Sequence, residues 1–309
     1  MDFELSHDQR AILEAVDTLL ERYAGAERAI ELAKKSEYDH ALESALAEAG
    51  FLELARADDT GPLEAVLVVQ AVARAGGTVA IGANALVAPC VAERSLPAPL
   101  ALTLAEGTAP ARFGAHARAL LVLAEDEASW IALEPGDAEP VRSSFGYPMG
   151  RVSRGPGESL GAGSGERMRS WWRVALAAEV VGTMDAALAV TVDYLKQRRQ
   201  FGRAIGSFQA VQHRLAECAV LIEGSRWLTY EAAWLGAPAE AAAAAAAHAT
   251  AAANRVFTET HQLSGAIGYT REHDLHVWSM RLQALRLELG SISGHRRALA
   301  GARWGERKS

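Results

Sequence analysis

Residues 194–212 contain the sequences Tyr194-Leu-Lys-Gln-Arg-Arg-Gln-Phe-Gly202 and Ile205-Gly-Ser-Phe-Gln-Ala-Val-Gln212. They predict two amphipathic helices joined by a tight, basic bend that contains a glycine. An arginine, a glutamine and exposed backbone amides converge at such a bend. These groups together suit an anionic ligand, because they supply charge-assisted hydrogen bonds.

A long helix is predicted to enter this bend. Its apolar residues recur every three or four positions, which is the period of one helix face; they are Leu176, Val180, Met184, Leu188, Val192 and Leu195. A helix from about Trp172 to Phe201 would be roughly 45 Å long at about 1.5 Å per residue. The helix that leaves the bend is expected to be capped by Ser207 and to end near residues 236–238.

Two further helices complete a predicted antiparallel four-helix bundle. The third helix carries the alanine tract 241–247 and stops at Gly265. The fourth runs from about Glu272 to about Arg303, and either Gly290 or Gly294 is a position at which it can break. The spread of apolar residues and alanine around these helices further suggests burial against other subunits.

The first hundred residues predict helices throughout. Ser6 is expected to cap the first helix, and later helices are expected near residues 39–49, 62–75 and 81–88. The fold class is therefore mainly α, with an N-terminal helical domain.

A small β module is predicted between the two helical parts. Apolar runs at residues 119–124 and 130–133, separated by an acidic turn, are typical of strands. The Gly-rich segment from Arg154 to Gly165 predicts a flexible linker. The predicted domains are thus an N-terminal helical domain (1–100), a reduced β module with its linker (101–165) and a C-terminal four-helix bundle (166–309).

Composition limits the possible partners and compartments. The 309 residues include 31 basic and 38 acidic side chains, a net charge of −7, which gives no basic surface for nucleic acid. Cys90 and Cys218 lie far apart, so a disulfide framework and a zinc site are not expected. Neither a signal peptide nor a run of 18 apolar residues is evident, and we expect a cytoplasmic protein without a membrane span.

The bend and a later loop resemble two motifs of the acyl-CoA dehydrogenase family, and the order of helical block, β module and bundle is similar too. The bend resembles the family's Arg-x-Gln-Phe-Gly and Phe-Gln segments through Arg198, Gln200, Phe201 and Gln209. The loop His261-Gln-Leu-Ser-Gly-Ala-Ile-Gly-Tyr269 resembles its Gln-x-x-Gly-Gly segment through Gln262, Gly265 and Gly268, with Ala266 in place of the second glycine.

This resemblance implies an FAD site shared between subunits. In the family, the flavin lies between the β domain and the bundle of one subunit, and the adenosine diphosphate half reaches the neighbour's bend and loop. The cofactor-binding residues implied here are Arg198, Gln200, Phe201, Gln209, Gln262 and Gly265. A guanidinium paired with a diphosphate contributes roughly 1.5–3 kcal/mol per charged hydrogen bond. An ordinary helix–loop–helix corner with solvated arginines is the alternative interpretation.

The family's flavin-side and catalytic features are not found in the sequence. The β module is roughly half the expected length, and Ser143-Ser-Phe-Gly146 is only the nearest candidate for the flavin-binding turn. Leu289 stands where the family has its glutamate base, and Glu288 is one residue early, about 100° away around a helix. In one branch of the family the base lies early on the long helix, where this chain has Trp172. Glu179 is the carboxylate nearby, either a base or a buried partner of an arginine.

A metal site is not expected. His273 and His276 are three residues apart, but no third ligand accompanies them in a known frame.

The sequence thus predicts a non-catalytic subunit that completes the FAD site of a heterotetrameric (α2β2) acyl-CoA dehydrogenase. The resemblance implies a larger partner subunit that binds most of the FAD and the acyl-CoA, a bulky, steroid-derived substrate as in bacterial steroid catabolism, and an electron-transfer flavoprotein as acceptor. Two alternatives stay open. One is a self-sufficient homo-oligomeric dehydrogenase with Glu288 or Glu179 as a displaced base, and the other is a flavin-free helical scaffold.

Overall fold

The computed structural model describes residues 4–105, 109–153 and 155–305. Arg154 of the predicted linker, and the outer ends of the first and last predicted domains, lie outside the described residues. The N-terminal part is helical, as predicted. Its helices are α1 (His7–Tyr23), α2 (Ala26–Lys35), α3 (His40–Glu48) and α4 (Pro62–Arg74), followed by a π-helical turn (Ala83–Val87) that continues into α5 (Ala88–Val91).

The start of α1 follows the predicted capping pattern. The Ser6 hydroxyl accepts from the Gln9 amide at 3.1 Å, and the Gln9 side chain accepts from the Ser6 amide at 2.9 Å. This reciprocal pair satisfies two amides that a helix start leaves without partners.

The β module consists of two small sheets. Its strands are β1 (Leu100–Leu104), β2 (Ala111–Arg112), β3 (Ala119–Leu123), β4 (Ala128–Ala132), β5 (Ala138–Val141), β6 (Met149–Val152) and β7 (Glu158–Ser159). One sheet has the order β1-β3-β4-β7, with β1 parallel to β3 and the other pairs antiparallel; the second is antiparallel with the order β2-β6-β5. The two predicted strands correspond to β3 and β4.

The predicted flexible linker is wrong in part. Glu158 and Ser159 pair with β4, and the long helix already begins at Ser164, whose buried hydroxyl accepts from the Ala128 amide at 2.8 Å. The Gly-rich segment is therefore an ordered connection between the sheet and the bundle. The β module and the bundle are joined by contacts as well as by the chain.

The C-terminal part is the predicted bundle. Its helices are α6 (Ser164–Gln197), α7 (Gln209–Trp234), α8 (Ala239–Ser264), α9 (Leu275–Leu285) and α10 (Ser291–Trp304), with a short hairpin of β8 (Arg199–Gln200) and β9 (Arg203–Ala204) at the bend. The long central helix α6 packs against α4, α7, α8 and α9, and one hydrophobic core connects all three parts. At about 1.5 Å per residue, its 34 residues span about 51 Å.

Two details of the bundle correct the sequence prediction. Ser207 does not cap α7; its hydroxyl donates to the Ala204 carbonyl at 2.7 Å, and Phe208 precedes the helix without a side-chain cap. The last helix breaks between Leu285 and Ser291, where Leu289 has φ 49° and Gly290 has φ 82°.

One helix of the described chain, α6, is long and apolar enough to cross a membrane by length and composition alone. Of its most apolar 18-residue window, 78% is buried inside the protein, which is the burial of a core helix.

Candidate functional site

A cavity of about 360 Å³ lies between the β module and the bundle. This volume is at the lower end of the roughly 300–1,000 Å³ typical of small-molecule sites. Its walls are mostly apolar and come from the π-helical turn, β1, β2, the middle of α6 and the break between α9 and α10. The absence of a side chain at Gly82 shapes one wall, since a Cβ there would lie 2.5 Å from Oε1 of Glu179.

Three charged side chains form one cluster in this cavity. Arg112, from β2, donates through Nη1 to Glu179 of α6, and through Nε to Glu288 at 2.9 Å. The indole Nε1 of Trp172 donates to the second oxygen of Glu288 at 2.8 Å. A single guanidinium therefore holds two carboxylates that lie 109 residues apart in the chain (288 − 179).

The cluster is electrostatically coupled. Glu179 is only 4% exposed, and burial raises its pKa although Arg112 acts in the opposite direction. Burial alone would lower the pKa of Arg112, but the two glutamates outweigh it and the pKa is raised, so Arg112 remains charged. A carboxylate bonded to a guanidinium is a poor proton acceptor, because protonation would cost the ion pair.

The prediction that Glu288 lies about 100° away from the base position assumed a continuous helix, and this assumption is wrong. Leu289 adopts a left-handed conformation, with φ 49° and ψ 38°, so the backbone is not a continuous helix at this point. Both Glu288 and Leu289 consequently line the cavity. One of the two interpretations of Glu179 was a buried glutamate paired with an arginine, and Arg112 is that arginine.

The basic bend lies at the end of α6 and is exposed. Arg198 follows the last residue of α6, Gln200 ends β8, and Gln209 begins α7. Phe201 is 92% exposed and adopts φ 54°, and Gly202 follows with φ 80°. These two left-handed residues turn the hairpin tightly and present its side chains to solvent.

The second loop lies at the same end of the bundle. Helices α7 and α8 run antiparallel, as shown by ion pairs of Arg214 with Glu259 and of Arg255 with Glu217 at 3.1 Å. The start of α7 therefore lies beside the end of α8, which carries the exposed Gln262.

The loop after α8 is tied to α6 as well. Gly265 ends α8 with φ 65°, and the Tyr194 ring of α6 contacts the His273 ring edge-on, with centroids 5.1 Å apart. The structure thus brings both motifs to one end of the bundle.

The side chains at this end suit an anionic group. Within residues 4–105, 109–153 and 155–305, the side chains of Arg198, Arg199, Gln200 and Gln262 make no hydrogen bond or ion pair. Two exposed guanidiniums, two amides and a glycine-rich turn form a donor set that fits the diphosphate and ribose of a dinucleotide.

The other sequence candidates fall elsewhere. From the segment Ser143-Ser-Phe-Gly146, Phe145 faces the first cavity, whereas both serines and Gly146 line a second, smaller cavity. Among the described residues, no group of three or more potential metal ligands is found, and His276 contacts the His273 carbonyl through Nδ1 at 2.9 Å.

Arg112 was not predicted as a site residue. Its one visible signal is a lone cation in the otherwise uncharged stretch Ala109-Pro-Ala-Arg-Phe-Gly114. Trp172 was identified only as the occupant of an alternative base position.

Comparisons with known proteins match part of this chain to acyl-CoA dehydrogenases. Residues 166–302 match the model of the acyl-CoA dehydrogenase C-terminal domain. The chain is 41% identical over 108 residues to acyl-CoA dehydrogenase IpdE2 of Mycobacterium tuberculosis, an alignment that covers 35% of this chain and 34% of that protein. The chain thus matches about a third of this curated relative's length.

Solved structures share the whole fold. A chain of the ChsE4-ChsE5 complex from Mycobacterium tuberculosis superposes with a TM-score of 0.81 at 22% identity, covering 97% of this chain and 98% of that one. A chain of the Tcur3481-Tcur3483 steroid ACAD, in its G363A variant, gives a TM-score of 0.81 at 23% identity, with 96% and 97% covered.

Proposed function

We propose that this chain, whose residues 166–302 match the model of the acyl-CoA dehydrogenase C-terminal domain, is the FAD-completing, non-catalytic subunit of a heterotetrameric member of that family. The complete enzyme would introduce an α,β double bond into a bulky, steroid-derived acyl-CoA. A larger partner subunit would contribute the flavin pocket and the catalytic base.

One observation carries the proposal: among the described residues, the two carboxylates that line the cavity are both held by Arg112. Removal of an α-proton from a thioester requires a carboxylate that is free to accept it, and general bases typically contribute about 10²–10⁴ in rate. Both oxygens of Glu288 already accept hydrogen bonds, from Arg112 and from Trp172. Arg112 also lies in the crevice between β module and bundle, where the family houses its flavin ring.

The exposed end of the bundle supports the second half of the proposal. Arg198, Gln200, Phe201, Gln209, Gln262 and Gly265 would hold the adenine and diphosphate half of an FAD that is bound mainly by the larger subunit. Bound FAD would supply the acceptor for the hydride that leaves the acyl group. This chain's own contribution would be to neutralise the diphosphate, with Arg198 as the charged donor.

The substrate class rests on the comparisons. One structure with this fold is described as a steroid ACAD, and another is described as the ChsE4-ChsE5 complex. The reduced β module would leave more room beside the partner's active site for a fused-ring acyl group.

The test is co-expression with the larger subunit, followed by counting flavins and assaying acyl-CoA oxidation. We expect two flavins per α2β2 tetramer. Arg198→Ala should release flavin from an intact tetramer, while Arg199→Ala, one residue away and equally exposed, should retain it. Glu288→Gln can accept from only one of its two donors, Arg112 or Trp172, because its amide nitrogen is itself a donor, and turnover should still be unchanged. Four flavins per tetramer, or turnover lost in Glu288→Gln, would contradict the proposal; flavin retained in Arg198→Ala would favour a flavin-free scaffold role.

A self-sufficient dehydrogenase is the second candidate, and the position of Glu288 in the cavity favours it. That candidate requires Arg112 to release Glu288. The chain purified alone would then be yellow and would reduce an electron acceptor with an acyl-CoA, and the activity would disappear in Glu288→Gln.

A further inference from the structure

A second cavity, of about 250 Å³, lies between α2, the loop that joins β5 to β6, and α9. Its walls include the cations Lys34, Arg271 and Arg281, the imidazole of His276 and the hydroxyls of Ser143 and Ser144. Of the described residues that line it, none is an aspartate or a glutamate. The cavity therefore concentrates positive charge without an internal counter-charge.

Arg281 lies at the bottom of this cavity and is the informative member of the cluster. It is 2% exposed and donates to the Gly77 carbonyl at 2.9 Å and to the Thr78 hydroxyl at 2.7 Å. Its Nε has no hydrogen-bond partner among the described residues, and this edge of the guanidinium faces the Gly146 wall of the cavity. Buried cations are normally paired with an anion, because desolvation of an isolated charge is costly. Consistent with this, burial lowers the pKa of Arg281.

Of the remaining groups around the cavity, the hydroxyl and the rim cations supply donors. Nδ1 of His276 donates to the His273 carbonyl at 2.9 Å, so Nε2 of the neutral ring is an acceptor and adds no donor to the cavity. The Ser143 oxygen accepts from the Phe145 amide at 3.1 Å, which leaves its hydroxyl proton free to donate. Lys34 and Arg271 are exposed at the rim and can close over a ligand.

We propose that this cavity binds a phosphate group, as a phosphate ester or a diphosphate. A phosphate ester carries a charge of about −1.5 to −2 and three strong acceptor oxygens, which matches a site of three cations and several donors better than a single carboxylate does. Arg271 lies three residues after Gly268, so the site adjoins the loop that presents Gln262.

The site is distinct from the first cavity. The ring of Tyr147 stands between the two, with the guanidinium of Arg281 at 4.8 Å from its centroid and that of Arg112 at 5.0 Å. The proposal therefore stands independently of the assignment of Glu288, Glu179 and the bend.

Isothermal titration of the full-length chain with inorganic pyrophosphate, in complex with its partner subunit where the complex is the stable form, tests the proposal. We expect one saturable site per copy of this chain that Arg198→Ala leaves intact, because the bend is the other place where a diphosphate would bind. Lys34→Ala and Arg271→Ala should each weaken binding about tenfold or more, the loss expected for one charge-assisted contact. Lys35→Ala is the matched control, because Lys35 is the next residue, pairs with Glu31 at 2.9 Å and does not line the cavity. Rim residues are used because replacing Arg281 would also remove two buried hydrogen bonds.

The source of the phosphate is distinguished with CoA and dephospho-CoA. If CoA binds more tightly than dephospho-CoA and Arg271→Ala removes this preference, the site binds the 3′-phosphate of CoA. If the two bind equally and both rim variants weaken them, the site binds the diphosphate. The proposal is overturned if pyrophosphate shows no saturable binding, if Lys35→Ala weakens it as much as Lys34→Ala does, or if succinate binds more tightly than pyrophosphate.

Discussion

Replacing Arg112 with methionine tests the central electrostatic claim about the first cavity. Methionine keeps most of the aliphatic volume but removes the cation that holds Glu179 and Glu288. Breaking a buried ion pair by removing one partner typically costs about 3–5 kcal/mol of stability, because the other charge is left buried and unpaired.

The pH dependence of this loss can be worked out from Glu179, the more deeply buried carboxyl group. A glutamate has a pKa of about 4.3 in the unfolded chain, and the variant can avoid an unpaired charge by holding Glu179 protonated. Holding it so costs about 3.7 kcal/mol at about pH 7, and about 1 kcal/mol at about pH 5, from about 1.36 kcal/mol per pH unit. The native variant then binds one proton more than the unfolded chain, so its free energy of unfolding falls as pH rises. In the wild type the contribution of Glu179 to the free energy of unfolding also falls as pH rises, because burial raises the pKa of Glu179. The ion pair with Arg112 acts against this shift and makes the change smaller.

Urea unfolding followed by tryptophan fluorescence at about pH 5, 6 and 7 measures this difference. The matched control is Arg151→Met, because Arg151 pairs with Glu139 at 3.6 Å in the same β module but on its exposed surface. An exposed pair of this kind contributes about 0–1 kcal/mol, so the control should lose little and show no added pH slope. A loss below about 1 kcal/mol in Arg112→Met at about pH 7, or a loss that grows toward acid, would refute the reasoning.

Two further predictions concern stability. A Cβ at Gly182 of α6 would lie 2.1 Å from the Gln70 carbonyl oxygen of α4, so Gly182→Ala should force the two helices apart and cost more than about 2 kcal/mol of stability. A Cβ at Gly301 would have no heavy atom within 4 Å, so Gly301→Ala should be neutral or gain up to about 1 kcal/mol. Equal melting temperatures of the two variants would contradict this prediction. Burial, together with Arg173, lowers the pKa of His295 from 6.5 to about 4. The free energy of unfolding should therefore fall as pH decreases from 6.5 toward about 4, by up to about 1.4 kcal/mol per pH unit. His295→Leu should flatten this part of a plot of unfolding free energy against pH.

The fold was predictable where one local pattern decides an element. The apolar stripe of α6, the Ser6 cap and the glycine that ends α8 are each encoded within a few neighbouring residues. Elements that depend on distant partners were missed or misplaced. The two-residue strand β7 exists only because Glu158 and Ser159 pair with β4, and its own composition is typical of a linker.

The break before α10 shows a different limit. Leu289 is a left-handed residue without the glycine or asparagine that usually signals one, so neither propensity nor spacing indicates that the helix ends there. The glycine beside it, Gly290, was one of two positions left open for the break. Which way Glu288 points depends on that conformation, and the sequence could therefore not place it.

The two halves of the candidate site differ in the same way. Arg198 and Gln200 belong to one hairpin and could be identified from a motif, whereas Arg112 meets Glu288 across 176 residues.

This long-range pairing also decides between the two functional candidates. For Glu288 to act as a base, Arg112 must release it, and if the whole guanidinium withdraws, Glu179 is left buried and unpaired, which is the situation that Arg112→Met creates. If that state costs about 3.7 kcal/mol at about pH 7, a base reached only through it would be slowed about 500-fold, since about 1.36 kcal/mol corresponds to tenfold. That penalty is comparable to the whole contribution of a general base. The measured instability of the Arg112 variant is therefore also a measure of how far this cavity is from catalysing the reaction by itself.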